Sequence, residues 1–198
     1  MQIEPHGNLD ELTQSLLWPL NLFCAHYGRE LPEITPLLEQ HIPEPYKTLL
    51  AHNRNMTPTL EAYHHGTIHI ERLNVFTGEE ETTREVILRR DGDDKPLEYG
   101  ASRVFRETLT PEALFLLDDG RLPLGTILRV CDCVHSVQPS GFFKVRPASF
   151  LVSALAAGQA AYLYGRRNTL VAMDDTPIAE VCEILPPENQ TRKERGEP

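Results

Sequence analysis

The chain is poor in cysteine, in positive charge and in long apolar runs, and each shortage removes a class of protein. Four cysteines, Cys24, Cys131, Cys133 and Cys182, form no CxxC pair and fall far short of the density of a secreted disulfide scaffold. They read as reduced thiols in a core. No apolar stretch approaches the roughly 20 residues that span a bilayer. The best candidate, Leu16 to Ala25, is interrupted by Pro19 and Asn21. The residues before it include Glu4, Asp10 and Glu11 but no Lys or Arg, unlike a secretory signal. A cytoplasmic chain without a membrane span is the expectation. Lys and Arg total 19 against 29 Asp and Glu, a formal net charge of −10. That field repels phosphates at long range and no local basic patch offsets it, so nucleic acid is not an expected partner. Gly-rich phosphate loops and Ser-centred nucleophile elbows are missing as well.

What is present is the patterning of one domain over residues 1–186. A chain of 198 residues is long enough to bury roughly 70% of its unfolded surface. The last twelve positions, 187–198, are polar and charged and read as a disordered tail. Leu12, Leu16, Leu17 and Leu20 follow the cap candidate Asn8 at helical spacing, which predicts a helix from Asn8 to Phe23 broken at Pro19. A second helix is expected from Pro45 to about Asn53, after the proline-rich run Pro32 to Pro43 and ahead of a sheet beginning near Met56. Alternation marks strands at Thr67 to Leu73, Arg84 to Arg90 and Leu97 to Phe105, the last two joined by a hairpin loop at Asp91 to Pro96. Thr110-Pro111-Glu112 opens a helix that Gly120 closes. Thr126 to Val134 reads as a strand, His135 to Gly141 as a loop, and Ala148 to Ala161 as either a helix or a small-residue lining. A final hairpin joins Thr169 to Met173 with Ile178 to Leu185. Strands joined by hairpins, with helices kept apart, predict an α+β fold with helices flanking an antiparallel sheet.

Four short blocks occur in one order: Asn55-Met56-Thr57, Thr83-Arg84-Glu85-Val86-Ile87-Leu88, Pro123-Leu124-Gly125 and Tyr164-Gly165-Arg166-Arg167. An arginine inside an apolar strand has few uses other than holding an anion, since an unpaired buried charge costs several kcal/mol. The plainer alternative is a rim arginine paired with Glu85 or Glu107. Order and spacing of the blocks resemble the chorismate pyruvate-lyase family, from about Leu49 to Pro186. The resemblance implies the same α+β architecture, with a ligand cavity between sheet and helical flaps. It also implies substrate-binding roles: Arg84 and the backbone near Leu124 for a carboxylate, and Met56 as part of the lining. Gly125 lets a backbone amide approach an anion closely.

The family also carries a glutamate on its last strand, and two residues here qualify, Glu180 and Glu183. They point to opposite faces, and strand parity counted from Gly165 favours Glu183 as the catalytic carboxyl. Such a group would act as acid or base, or hydrogen-bond a substrate hydroxyl. The segment between Gly125 and Gly165 is longer than in the bacterial enzymes of the family.

The resemblance implies elimination of pyruvate from chorismate to give a hydroxybenzoate, 4-hydroxybenzoate by implication, with no metal or coenzyme. The alternative is a non-catalytic domain of the same fold that binds a small aromatic carboxylate, as in ligand-sensing domains of some transcription regulators. A metal reading of His64, His65 and His69 is not favoured. Gly66, Thr67, Ile68 and Ile70 predict a strand, which sets His65 and His69 about 13 Å apart. Cys131-Asp132-Cys133 is equally weak as a metal motif.

Overall fold

Alternation builds a seven-stranded antiparallel sheet, seen in a computed structural model that describes residues 9–188. In chain order the elements are α1 (Leu9–Leu17), α2 (Leu20–Tyr27), β1 (Glu33–Leu37), α3 (Tyr46–Leu50), α4 (Met56–His64), β2 (Ile68–Thr77), β3 (Glu81–Arg90) and β4 (Pro96–Phe105). They continue with α5 (Pro111–Asp119), α6 (Leu124–Val130), β5 (His135–Arg146), α7 (Ser149–Ala154), β6 (Leu163–Ala172) and β7 (Pro177–Leu185). The strand order is β1-β5-β6-β7-β4-β3-β2. Two antiparallel groups therefore meet along β4 and β7, with Gly100 opposite Glu183. The cap candidate Asn8 lies outside the described residues, and among those residues no helix is long and apolar enough to cross a membrane.

Helices cover both faces of the sheet. On one face α1, α2 and α7 bury Leu17, Leu20, Phe23 and Leu151 against Tyr99, Phe143 and Ile184. This core also encloses a charge. Glu85 is fully buried, accepts hydrogen bonds from Tyr99 Oη and Asn74 Nδ2 (2.5 Å each), and pairs with Arg29 just beyond the end of α2. The opposite face has two separate covers. α3 and α4 pack Tyr46, Leu49, Leu50 and Leu60 on Leu88 and Leu185. α5 and α6 pack Leu117, Ile127 and Leu128 on Val104, Leu170 and Ala179.

The best-formed helix is α5. Thr110 accepts a hydrogen bond from the Ala113 amide (3.2 Å), Pro111 opens the helix, and Gly120 ends it at φ +71°. Three other segments differ from expectation, and a strand within the proline-rich run was not anticipated. Leu124–Val130 is a helix where a strand was predicted from Thr126, so its branched residues serve as helix core. His135–Arg146 is a strand rather than a loop, because the irregularity between Pro139 and Gly141 accommodates the proline within the ladder. Pro36 likewise sits in β1, at the edge of the sheet, where a missing donor is harmless. Met56–His64 is a helix, not the entry to a strand. Pro58 falls in its first turn, where backbone amides lack helical acceptors in any case.

Beyond β7 the chain stays attached for two expected tail residues, Pro187 and Glu188. The Glu188 amide donates to Tyr46 Oη (2.7 Å), which donates to Pro186 O (3.2 Å). All four cysteines are free thiols, and burial pushes Cys24 up to about 11.

Candidate functional site

Between the two covers the sheet is left open, and the gap is a small pocket of about 70 Å³. Its floor comes from β3, β4, β6 and β7: Arg84, Val86 and Leu88; Glu98, Gly100 and Ser102; Arg166, Asn168 and Leu170; Val181 and Glu183. Its roof comes from the first residues of α4 and α6, Asn55-Met56-Thr57 and Pro123-Leu124-Gly125. The two covers touch there. A Cβ on Gly125 would lie 3.3 Å from Asn55 Cβ, so the absent side chain permits the approach. Asn55 in turn contacts the His135 ring (3.0 Å).

Two buried arginines hold the covers in place. Arg166 is inaccessible to solvent and donates from Nη1 to the carbonyls of Leu50 and His52 (2.9 Å each) and from Nη2 to Arg54 O (3.2 Å), which fixes the linker between α3 and α4. Its Nε donates to Glu183 Oε2 (2.5 Å), and Asn168 Nδ2 donates to the same oxygen (2.7 Å). Arg84 is 2% exposed and donates from Nη2 to Leu122 O (3.1 Å), fixing the linker between α5 and α6. Its Nη1 is buried, and among the described residues it has no partner and no carboxylate is paired with it. Burial, with a smaller contribution from Arg72, lowers its pKa to about 10, so it stays cationic near neutrality.

The far end of the floor is acidic. Glu98 is buried, its Oε2 has no hydrogen-bond partner, and burial followed by repulsion from Glu183 raises its pKa well above the usual carboxylate range. Its Cα lies about 13 Å along the strands from the Arg84 end, because Ser102 pairs with Arg84 and Glu98 is four residues further along β4. Next to Arg166, burial and then that guanidinium push His52 down to about 4.

The structure brings Met56, Arg84, Leu124, Gly125 and Glu183 into this one pocket. Glu180 is the exception. Alternation turns it to the opposite face, where it accepts from Trp18 Nε1 (2.7 Å) and Arg167 Nη2 (2.6 Å) and faces Arg103 at 3.5 Å. Arg84 is not the rim partner of Glu85, which points into the other core. Sequence reasoning missed Glu98 and Asn168 as pocket residues, and it read the Arg166-Arg167 pair as either a cavity mouth or a solvated strand start, where Arg166 lines the pocket and Arg167 pairs with Glu180. The signal for the pocket residues was available in the alternation of Glu98-Gly100-Ser102 and of Arg166-Asn168-Leu170. His69 sits outside the pocket between Asp91 (2.7 Å) and Asp94 (3.1 Å). Among the described residues no group of three or more His, Cys, Asp and Glu could hold a metal.

Comparison with solved structures fixes the fold. PhnF from Mycobacterium smegmatis superposes with a TM-score of 0.50 at 11% identity, over 84% of this chain and 93% of that one. The architecture is the chorismate lyase-like α+β fold. The effector domain of PhnF taken alone gives 0.49 at 13% identity, over 67% of this chain and 88% of that one. A transcriptional regulator of the GntR family from Enterococcus faecalis V583 gives 0.41 at 10% identity, over 59% and 91%. No family model matches the sequence. No curated protein matches it either.

Proposed function

We propose that this chain is a ligand-binding domain whose pocket takes a small organic carboxylate with an apolar, ring-sized body. One observation carries the reading: Arg84 is a buried cation with an unpartnered Nη1, held at the end of an apolar cavity by a single carbonyl contact. A buried guanidinium without a counter-charge is costly, and a ligand carboxylate relieves that cost. The walls Met56, Ile70, Val86, Leu88, Leu124 and Val181 suit a hydrocarbon ring.

The test is thermal shift of the purified chain with benzoate and 4-hydroxybenzoate. Saturating ligand at about 100 times Kd stabilises by about 2.7 kcal/mol, a shift of several degrees. Arg84→Met is expected to remove the shift and Arg84→Lys to reduce it, since a charge-assisted hydrogen bond contributes about 1.5–3 kcal/mol. An unchanged shift in Arg84→Met would reject the assignment.

A second reading, elimination of pyruvate from chorismate, is favoured by the two carboxyls on the pocket floor. In that reaction the ring carbon bearing the hydroxyl loses a proton, the bond from the neighbouring ring carbon to the enolpyruvyl oxygen breaks, and the released enolpyruvate takes a proton at its methylene carbon. Glu183 and a protonated Glu98 are groups able to accept and to donate. Incubation with chorismate followed by chromatography for pyruvate and the hydroxybenzoate isomers tests it. Thermal stabilisation by carboxylates without turnover leaves the binding role alone.

A further inference from the structure

One polar side chain of the pocket is engaged neither by the covers nor by the ion pair. Glu98 is 4% exposed and lies on the floor beside Glu183, and its Oε2 is enclosed without a partner. The carboxyl leans along β4 toward the Arg84 end: Oε1 lies 3.1 Å from the point that a Cβ on residue 100 would occupy, and Gly100 leaves that space free. Val86 and Leu88 face it from β3. The charged groups facing it are Glu183 on β7 and Arg166 on β6, with His52 of the α3–α4 linker beyond the arginine.

Charge bookkeeping within the pocket is short. Arg166 and Glu183 form a pair, which leaves Arg84 as the cation without a counter-charge. Burial, and then the neighbouring Glu183 carboxyl, raise the Glu98 pKa well above the usual carboxylate range and favour its protonated form. As a protonated acid it is a donor, and a buried donor without an acceptor costs free energy until a ligand supplies one.

Resting on the reading of the pocket as a carboxylate site, we propose that Glu98 is its specificity-determining residue: a neutral carboxylic acid that donates a hydrogen bond to an oxygen at the end of the ligand remote from its carboxylate. The preferred ligand is then a monoanion with an acceptor oxygen at that end. A second carboxylate there would meet Glu183 with no free cation, so dianions are disfavoured. This weighs against chorismate itself and toward a hydroxy-substituted aromatic monocarboxylate.

Titration calorimetry of the intact chain near neutral pH with benzoate, 4-hydroxybenzoate and the dianion terephthalate tests the proposal. 4-Hydroxybenzoate is expected to bind about tenfold more tightly than benzoate, the size of one buried hydrogen bond, and terephthalate more weakly than either. Glu98→Gln retains a donor and should keep the preference, whereas Glu98→Met should bring the ratio close to one. In wild type the preference should shrink as pH rises and Glu98 ionises, and in Glu98→Gln it should not. Where Glu98→Met fails to fold, this pH comparison decides. A preference that survives in Glu98→Met, a wild-type preference independent of pH, or terephthalate binding as tight as 4-hydroxybenzoate overturns the proposal. Arg84-dependent binding of all three ligands without discrimination overturns this inference alone. Absence of any binding to wild type overturns the carboxylate-site reading together with it.

Discussion

Arg84 and Arg166 show how one residue type does two jobs within one pocket. Arg166 has five partners, three of them backbone carbonyls at the end of α3 and in the linker to α4, and its role is structural support. Arg84 has one acceptor and an unused nitrogen, so its role is open to a ligand. His52, beside Arg166, supplies a pH signature. Its pKa falls from the usual 6.5 to about 4 on folding, so the unfolded chain binds the proton more readily than the folded one. Its contribution to stability is present above about pH 6.5 and is lost as pH falls toward 4. The melting temperature should decline across that window, and His52→Gln should flatten part of the decline. An identical profile in the variant would show that His52 carries none of it. Two-residue alternation was sufficient to read Arg84 as inward and to separate Glu183 from Glu180, because a strand leaves only two choices of face. For Glu98 alternation gave a face shared with Gly100 and Ser102, but not its place in the pocket. That depends on the space over Gly100 and on which neighbour lies across the sheet.

At the scale of elements, β6 and the two roof helices set the shape of the site. Gly165 faces the core opposite the pocket. A Cβ there would lie 2.5 Å from Glu183 O and 2.7 Å from the Phe143 ring, and the first of these is backbone that cannot move aside cheaply. Gly165→Ala is expected to destabilise the domain by about 1–3 kcal/mol, read from denaturant unfolding. A cost under half of that would mean the β6–β7 pairing yields more easily than the geometry indicates. The glycine in Tyr164-Gly165-Arg166-Arg167 thus has a packing reason independent of any ligand. Elements with strong local punctuation were legible: α5 between Thr110 and Gly120, and the β3–β4 hairpin around Asp91 to Pro96. Elements whose identity depends on tertiary context were not. Leu124–Val130 carries strand-like residues but is helical, because it closes a groove rather than extending the sheet. His135–Arg146 carries loop-like residues but is a strand, with β1 and β6 as its neighbours.

At the scale of the molecule, the pocket belongs to no single segment. Its roof comes from residues near 55 and near 124, each tied to the floor by its own arginine. A bound carboxylate that engages Arg84 between the covers should slow amide hydrogen exchange in both 50–57 and 121–126, although these stretches are distant in sequence. Protection confined to one of them would indicate a site on that cover alone. The fold class was legible because hairpins and separated helices point to one architecture. The division of one helical layer into two covers was not, since it arises from side-chain contacts among residues far apart in the chain.

The last strand, β7, occupies the middle of the sheet, between β6 and β4. A nascent chain halted before Pro177 would own two sheet fragments with nothing to join them. Glu183 would be missing, and the recess over which the two lids meet would have no floor. Any occupant of the recess would therefore have to wait until β7 has slid between β4 and β6.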